Sequence, residues 1–398
     1  MALAAVFLGT FVIGTAELVV VGMLNLIADD THEPVSTAGT VVTAYAIGVS
    51  IGGPLLTALT VRVRRSLLLR LALAAYVAGN LFAALSAGFG MLVAARAIAG
   101  ATHGLFIGVA FAVGASLLPR EHLGRAISVV FGGVTVSHVV GVPVATLIGQ
   151  HWGWRAAFLA VVVLGIVALA GMLVIPRIDN TGGAAVFGQA RHAFAPRVLA
   201  VLGVGFLLLC GQFAALTYLA PFLSDVTGIP DRLISVFLVV YGVANAVGTF
   251  IGGRAADRNA ARTLVVANAV LILALGLLFL GGGVALVVAL ALCLCGLSGF
   301  GLVPSLQHRV IRLAGPGGDL AASLPASASN AGIAVGSLIG GWALAGHGAG
   351  AAVLAGVVVC AVALPCTWLA GSLREPAPAP TGLDAPVALV PQDPRAVG

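Results

Sequence analysis

Lysine is absent from the 398-residue chain, and all nineteen basic residues are arginine. A Walker-type phosphate loop needs a Gly-Lys step, so an ATPase of that class is excluded. Energy must come from an ion gradient, from the substrate's own gradient or from another chain. Charge of either sign is scarce, at 8% against about 25% in soluble domains. With 60% of residues apolar, a surface so poor in charge must largely face lipid. Cysteine is limited to Cys210, Cys293, Cys295, Cys360 and Cys366, all in apolar stretches. None has a histidine at zinc-ligand spacing, so they read as packing residues, and neither metal nor another cofactor is expected. No nucleophile–base set is evident, which makes an integral-membrane enzyme the least favoured class. Glycine, by contrast, is abundant at 54 residues. It is costly in soluble helices and common where membrane helices pack backbone to backbone.

A span needs about 20 apolar residues. Twelve candidates lie at 3–27, 36–60, 66–88, 89–118, 125–149, 154–176, 197–223, 233–253, 262–281, 284–307, 320–345 and 349–373. The apolar N-terminus lacks a basic flank and continues through Glu17 to Ile27, so it reads as a retained first helix and not a cleaved leader. With both termini cytoplasmic, sixteen arginines fall inside and two, Arg155 and Arg232, outside, while Arg96 lies within a span. That asymmetry is the positive-inside pattern. The arginines sit singly or in small groups and form no basic patch, so nucleic acid is not an expected partner; the lipid bilayer is.

The longest polar connection, 177–196, divides the chain into six-span bundles at 1–176 and 197–373, and the Pro-rich 374–398 reads as a disordered cytoplasmic tail. A shift of 196 residues places Tyr45 on Tyr241, Gly52 on Gly248, Arg62 on Arg258 and Gly100 on Gly296. Both sets start on the same side, so the repeats are parallel. The fold class expected is an all-α membrane protein of twelve transmembrane helices in two parallel six-helix repeats, with a site between them.

Ionisable groups inside spans are the first functional candidates. Glu17 is the acid well inside a span and Arg96 the base, each roughly 12–15 Å from the outer end of its helix. Two readings stay open: a fixed ion pair that locks two helices, or a carboxyl that exchanges a proton. Burial favours the neutral acid and the guanidinium favours the carboxylate, so the two oppose. His103 shares the Arg96 face and is either a packing residue or a second proton or substrate contact. Further polar or aromatic candidates for a substrate cavity are Tyr45, Asn80, His138, Gln212, Phe213, Tyr218, Tyr241, Asn245 and Asn330; each could equally bond a neighbouring helix. Small-residue stripes run through Gly100, Gly104 and Gly108, through Gly133, Gly141 and Gly149, and through Gly332, Gly336 and Gly340. Pro143 in the second stripe removes a helix hydrogen bond and predicts a bend.

Several stretches resemble the major facilitator superfamily, in particular its twelve-span drug:proton antiporters of the arabinose-efflux and chloramphenicol-resistance type, from Gly14 to about Leu373. Gly14-Thr15-Ala16-Glu17 is similar to that branch's acidic signature. The run Leu92, Arg96, Gly100 resembles the fourth-span motif whose arginine is tied to proton coupling. The stretch from Gly133 through Gly141-Val142-Pro143 to Gly149, followed by Gly153-Trp154-Arg155, resembles the fifth-span motif associated with exporters. Gly253-Arg254-Ala255-Ala256-Asp257-Arg258 is similar to the loop motif of the second half. The matching loop of the first half, Leu56 to Arg65, keeps its arginines but lacks the Gly and Asp, leaving Asp257 alone to supply the gate's charge contact.

The resemblance implies a proton-coupled efflux antiporter of the bacterial cytoplasmic membrane, working as a monomer by alternating access. Glu17 would be the proton site, Arg96 its modulator and His103 a second polar contact, with the fifth and eleventh spans as the rocking seam. The single buried acid favours neutral or amphiphilic cargo such as chloramphenicol-like drugs. A sugar or nucleoside exporter and a passive uniporter are the alternatives.

Overall fold

The computed structural model describes residues 1–60, 62–117, 123–178, 191–317, 321–322 and 324–374. Most of the expected linker, the expected tail beyond Arg374, and Arg120 and Arg395 lie outside them. Every regular element among the described residues is helical. Long apolar helices run over α1 (Ala2–Gly22), α2 (Val35–Leu59), α3 (Arg65–Ala84), α4 (Phe89–Gly114), α5 (Val129–Trp152), α6 (Trp154–Val174) and α7 (Pro196–Asp225). The second half continues through Asp231–Leu280, then Ala285–Ala314, Leu324–His347 and Ala349–Gly371.

Asp231–Leu280 spans 50 residues, about 75 Å as one helix and more than twice the hydrocarbon thickness of about 30 Å. It is two crossings. Asn259 leaves helical geometry (φ −161°, ψ 90°), and its Oδ1 accepts the Arg262 N–H at 2.9 Å, the bond of a helix N-cap. Residues 231–258 are therefore α8 and 260–280 α9. Gly248 of the first leg and Val270 of the second line one cleft, although a straight helix would set them about 33 Å apart. With α10 (Ala285–Ala314), α11 (Leu324–His347) and α12 (Ala349–Gly371), the count is the expected twelve.

The loops alternate between two ends. Arg155, in the first turn of α6, ion-pairs with Asp30, which also accepts from Trp154 Nε1 at 3.1 Å, and reaches the Ser86 carbonyl at 3.2 Å. That gathers the loops after α1, α3 and α5 at one end. At the other, arginines close helix C-termini: Arg70 donates to the Ile175 carbonyl at 2.9 Å, Arg197 to Leu313 at 2.7 Å and Arg309 to Ala370 at 2.8 Å. A cation on the last carbonyls of a helix is favoured by its dipole.

Glycines set the packing inside each half. A Cβ at Gly100 would fall on the Tyr45 carbonyl, and one at Gly296 on the Tyr241 carbonyl. Gly52 meets Ala101 as Gly248 meets Leu297. All four residues of each pair of contacts are related by the period of 196, so α2–α4 and α8–α10 are one packing used twice. The other stripes behave alike: Gly133 and Gly141 face Thr10 and Thr15 of α1, and Gly332, Gly336 and Gly340 face the Phe206, Cys210 and Ala214 carbonyls of α7. The glycine stripes of α5 and α11 are occupied within their own halves, but both helices also lie at the seam, where α5 meets α8 and α11 meets α2. Gly253 has open space around it and Asp257 and Arg258 are exposed, so in this conformation they mark the surface at the α8–α9 turn and make no close packing.

The halves join at the arginine-poor end. Thr43 of α2 donates to Ser337 of α11 at 3.1 Å, and Ser337 to the Gly39 carbonyl at 3.0 Å. Asn25 reaches Ser224 at 3.3 Å, and Gln150 the Asp231 carbonyl at 2.6 Å. One apolar core runs through both halves here, from Leu18, Leu24 and Val41 to Phe222 and Leu238. A second core, from Val6 and Leu69 to Phe106 and Met172, belongs to the first half alone and fills its arginine-rich end.

Gly100→Val and Gly296→Val are each expected to lower unfolding stability in detergent by about 1–3 kcal/mol, while Gly253→Ala stays within about 0.5 kcal/mol; thermal unfolding followed by size-exclusion chromatography reads the difference. The Arg155 guanidinium holds the Asp30 carboxyl below its usual value of 3.8. Both groups are more than a third exposed, so the pair is worth about 0.5 kcal/mol after screening. Its contribution is present above the ordinary Asp value and lost as the pH falls through the lowered one. Asp30→Asn should therefore be slightly less stable than the parent at neutral pH and equal to it once Asp30 is protonated.

Candidate functional site

Arg96 of α4 is fully buried. Its guanidinium does not ion-pair with Glu17. It donates to the backbone carbonyls of Ala16 at 3.0 Å and Glu17 at 3.4 Å, and lies over the Tyr45 ring at 4.0 Å and the Phe158 ring at 5.8 Å. The carbonyls accept from Nη1 and Nη2, which lipid could not, while Nε is left without a partner, and the ring faces offset part of the desolvation of the charge. The expected alternative of a fixed Glu17–Arg96 ion pair is thus corrected: the helices are locked by arginine on backbone. The Glu17 side chain is half-buried and makes no hydrogen bond or ion pair among the described residues.

Around Arg96 runs a chain of hydroxyls. Tyr76 donates to the Ile13 carbonyl at 3.1 Å and shares a 3.2 Å bond with the Tyr45 hydroxyl, which meets His103 Nδ1 at 2.8 Å. Tyr45, Arg96 and His103 therefore form one cluster on α2 and α4, joined to α1 through Tyr76. Tyr76 was not among the sequence candidates. Its signal was available: it lies four residues before Asn80, on the same helix face. Asn80 itself is wholly buried and donates to the Tyr76 carbonyl at 2.8 Å, so it supports this cluster from behind.

The seam between the halves holds a second polar set. In α5 the residues ahead of Pro143 form a π-turn, Ser137–Gly141, where the expected bend falls; a ring without N–H cannot continue the α ladder, and the wider turn absorbs the gap. It carries His138 to α8, where Asn245 Nδ2 stands 3.0 Å from His138 Nδ1. Phe300 packs edge-on against the imidazole at 5.2 Å. On the other side, Gln212 of α7 donates to the Tyr241 hydroxyl at 3.3 Å and the Cys295 carbonyl at 3.5 Å.

Between these groups lies a central cavity of about 20 Å³, on the order of one water molecule. Leu18 and Val21 of α1, Val142 of α5, Phe213 and Leu216 of α7 and Leu238 of α8 line it, with His138 and Tyr241 as its polar members. Of the nine cavity candidates, the structure brings His138, Phe213 and Tyr241 to this space. Gln212 and Asn245 stand one hydrogen bond behind it. Tyr218 donates instead to the Ser337 carbonyl at 2.8 Å, bracing α7 on α11, and Asn330 to the Ala326 carbonyl of its own helix at 3.0 Å. Tyr45 and Asn80 belong to the Arg96 cluster.

Twelve apolar helices in two repeats, sealed at one end around a small central cavity, define a membrane carrier for small molecules. The chain belongs to the Major Facilitator Superfamily, whose family model matches residues 6–321. It is 38% identical to the MFS-type transporter YtbD of Bacillus subtilis (strain 168), over 85% of this chain and 87% of that one. It is 35% identical to a chloramphenicol resistance protein of Streptomyces lividans, over 85% and 87%. A bacterial homolog of the human lysosomal transporter Spinster, solved inward-facing and unoccupied, shares the fold with a TM-score of 0.75, covering 93% of this chain and 96% of that chain at 17% identity. These transporters are not enzymes, and neither is this chain.

Tyr76→Phe is expected to unlink α1 from α2 and lower stability by about 0.5–1.5 kcal/mol. Tyr45→Phe leaves the ring under Arg96 but takes the partner from both Tyr76 and the buried His103 Nδ1, and should cost at least as much; thermal unfolding of the two variants side by side gives the order.

Proposed function

We propose that the chain is a proton-coupled antiporter that exports a small neutral or amphiphilic organic compound by alternating access. The observation that carries this is the separation of Glu17 from Arg96. With both terminal nitrogens of the arginine on carbonyls and its face on rings, the carboxyl is free to take up and lose a proton, while the fixed cation nearby keeps the charged form within reach. In this reading Glu17 is the proton site, Arg96 its electrostatic modulator, and the Tyr45–His103 pair a polar contact beside it. Both termini lie in the cytoplasm, so the closed, arginine-poor end faces outward and cargo enters from the arginine-rich side. The unit is a monomer with its bundles divided at 177–196, and its driving force is the proton gradient of the bacterial cytoplasmic membrane.

The apolar lining favours drug-like cargo over sugars and nucleosides. A hydroxyl-rich ligand would leave most of its polar groups unpaired against leucine and valine, each at a cost of about 1–3 kcal/mol. The resistance named for the Streptomyces lividans relative is consistent with that preference.

The test is substrate-induced proton movement in proteoliposomes with chloramphenicol as probe. The parent is expected to release protons on substrate addition and Glu17→Gln to lose at least about nine-tenths of that signal while still binding. Solute movement without proton flux, equal in both proteins, would establish a passive uniporter and overturn the coupling.

A further inference from the structure

We infer that the central cavity recognises hydrogen-bond acceptors, because both of its polar side chains present donors: the cargo class is apolar or aromatic compounds bearing carbonyl, nitro or sulfonyl oxygens. This rests on the reading of that space as the cargo site once the halves part, since the volume of about 20 Å³ between them here holds no more than a water molecule.

His138 is buried, with 3% of its surface exposed. An amide nitrogen only donates, so Asn245 Nδ2 at 3.0 Å makes His138 Nδ1 an acceptor and places the neutral ring's proton on Nε2. That Nε2 is buried and has no hydrogen-bond partner, while the ring lines the cavity. Tyr241 repeats the logic from the other half. The Cys295 carbonyl is an obligate acceptor, which fixes the Gln212 amide with its nitrogen toward it, and the same nitrogen donates to the Tyr241 oxygen at 3.3 Å. The Tyr241 oxygen thus accepts, and its own O–H is left to donate. A buried acceptor without a partner does exist at Gln212 Oε1, but that amide lies against Gly299 of α10 and does not line the cavity.

Buried polar groups without partners are costly, and a ligand that supplies the partner recovers that cost on binding. A cargo oxygen reaching both groups would bridge the halves, since His138 belongs to the first and Tyr241 to the second. A cargo bearing only donors would face two further donors, and one with neither leaves both unpaired. Discrimination of about tenfold per lost bond follows.

Benzophenone tests this directly. It carries one carbonyl acceptor and no donor, and on irradiation it inserts into C–H bonds that it touches. With the full-length chain in lipid nanodiscs and no pH gradient, it is expected to label Leu18, Val21 or Leu238. Labelling at the exposed Leu280 and Leu286 reports ordinary lipid-phase contact and serves as the internal standard. Excess 9-fluorenone should displace the cavity label, whereas fluorene, the same skeleton without the carbonyl, should need about tenfold more. Tyr241→Phe, which keeps the ring, and His138→Phe should each cut cavity labelling about tenfold relative to the standard. Equal competition by the two compounds, unchanged labelling in Tyr241→Phe, or no cavity labelling above the standard would overturn the proposal. Because the readout is binding without a gradient, a failure of proton coupling in the proteoliposome assay leaves this result standing, and the reverse holds as well.

Discussion

The hydrocarbon offers no hydrogen bonds, so each polar group inside the bundle must find its partner within the protein. That constraint explains where Arg96 sits and what it holds. A buried guanidinium could be neutralised by a carboxylate, but a fixed pair would remove the acid from chemistry. Here the carbonyls of Ala16 and Glu17 and the faces of Tyr45 and Phe158 do the work, and the acid is left available. The same constraint makes the exceptions informative. Two side chains that line one cavity with a donor left over, His138 and Tyr241, suggest the chemistry of what belongs there.

Much of the fold was legible because it follows from one-dimensional quantities. Run length gave the twelve crossings, arginine placement gave the alternation of loop ends, and the period of 196 gave contacts that recur at Gly100 and Gly296 atom for atom in kind. The break between the eighth and ninth spans was legible as the arginine-bearing stretch after Gly253, and the structure narrows it to Asn259, whose non-helical backbone and capping side chain separate α8 from α9. The partners of the helices were less legible. A glycine stripe announces a close neighbour without saying which one: those of α5 and α11 are filled by α1 and α7 of their own halves, while at the seam the two helices meet α8 and α2. For the site, depth along the helix placed Glu17 beside Arg96. It could not reveal that the arginine would choose the backbone, because carbonyls are present at every residue and carry no sequence signature. Tyr76 was missed for a related reason: its importance lies in the Tyr45 hydroxyl and Ile13 carbonyl it joins, which come from two other helices.

The two kinds of helix contact divide the labour. Within a half, backbone meets backbone at glycines, and a shift of even one methyl group would collide. Between halves, most contacts are single hydrogen bonds such as Thr43–Ser337 and Asn245–His138 and apolar side chains, with one close backbone approach, Gly242 of α8 on the His138 carbonyl of α5. Bonds of that kind can be exchanged without disturbing the close packing on either side. Rigid bundles that turn about a replaceable interface are the mechanical requirement of alternating access.

The apolar core is shared at one end and separate at the other, and this asymmetry has an energetic direction. Separating the halves at the arginine-poor end would bring water to Leu24, Val41, Phe222 and Leu238 together, and the price rises in proportion to the area wetted. The conformation described here is therefore held closed at that end by the apolar area it keeps dry. Reaching the opposite one requires something to tip the balance, whether a ligand spanning the seam or a change of charge at its edge. A carrier with such a built-in resting state waits with one particular face accessible, and its first event is an arrival from that side.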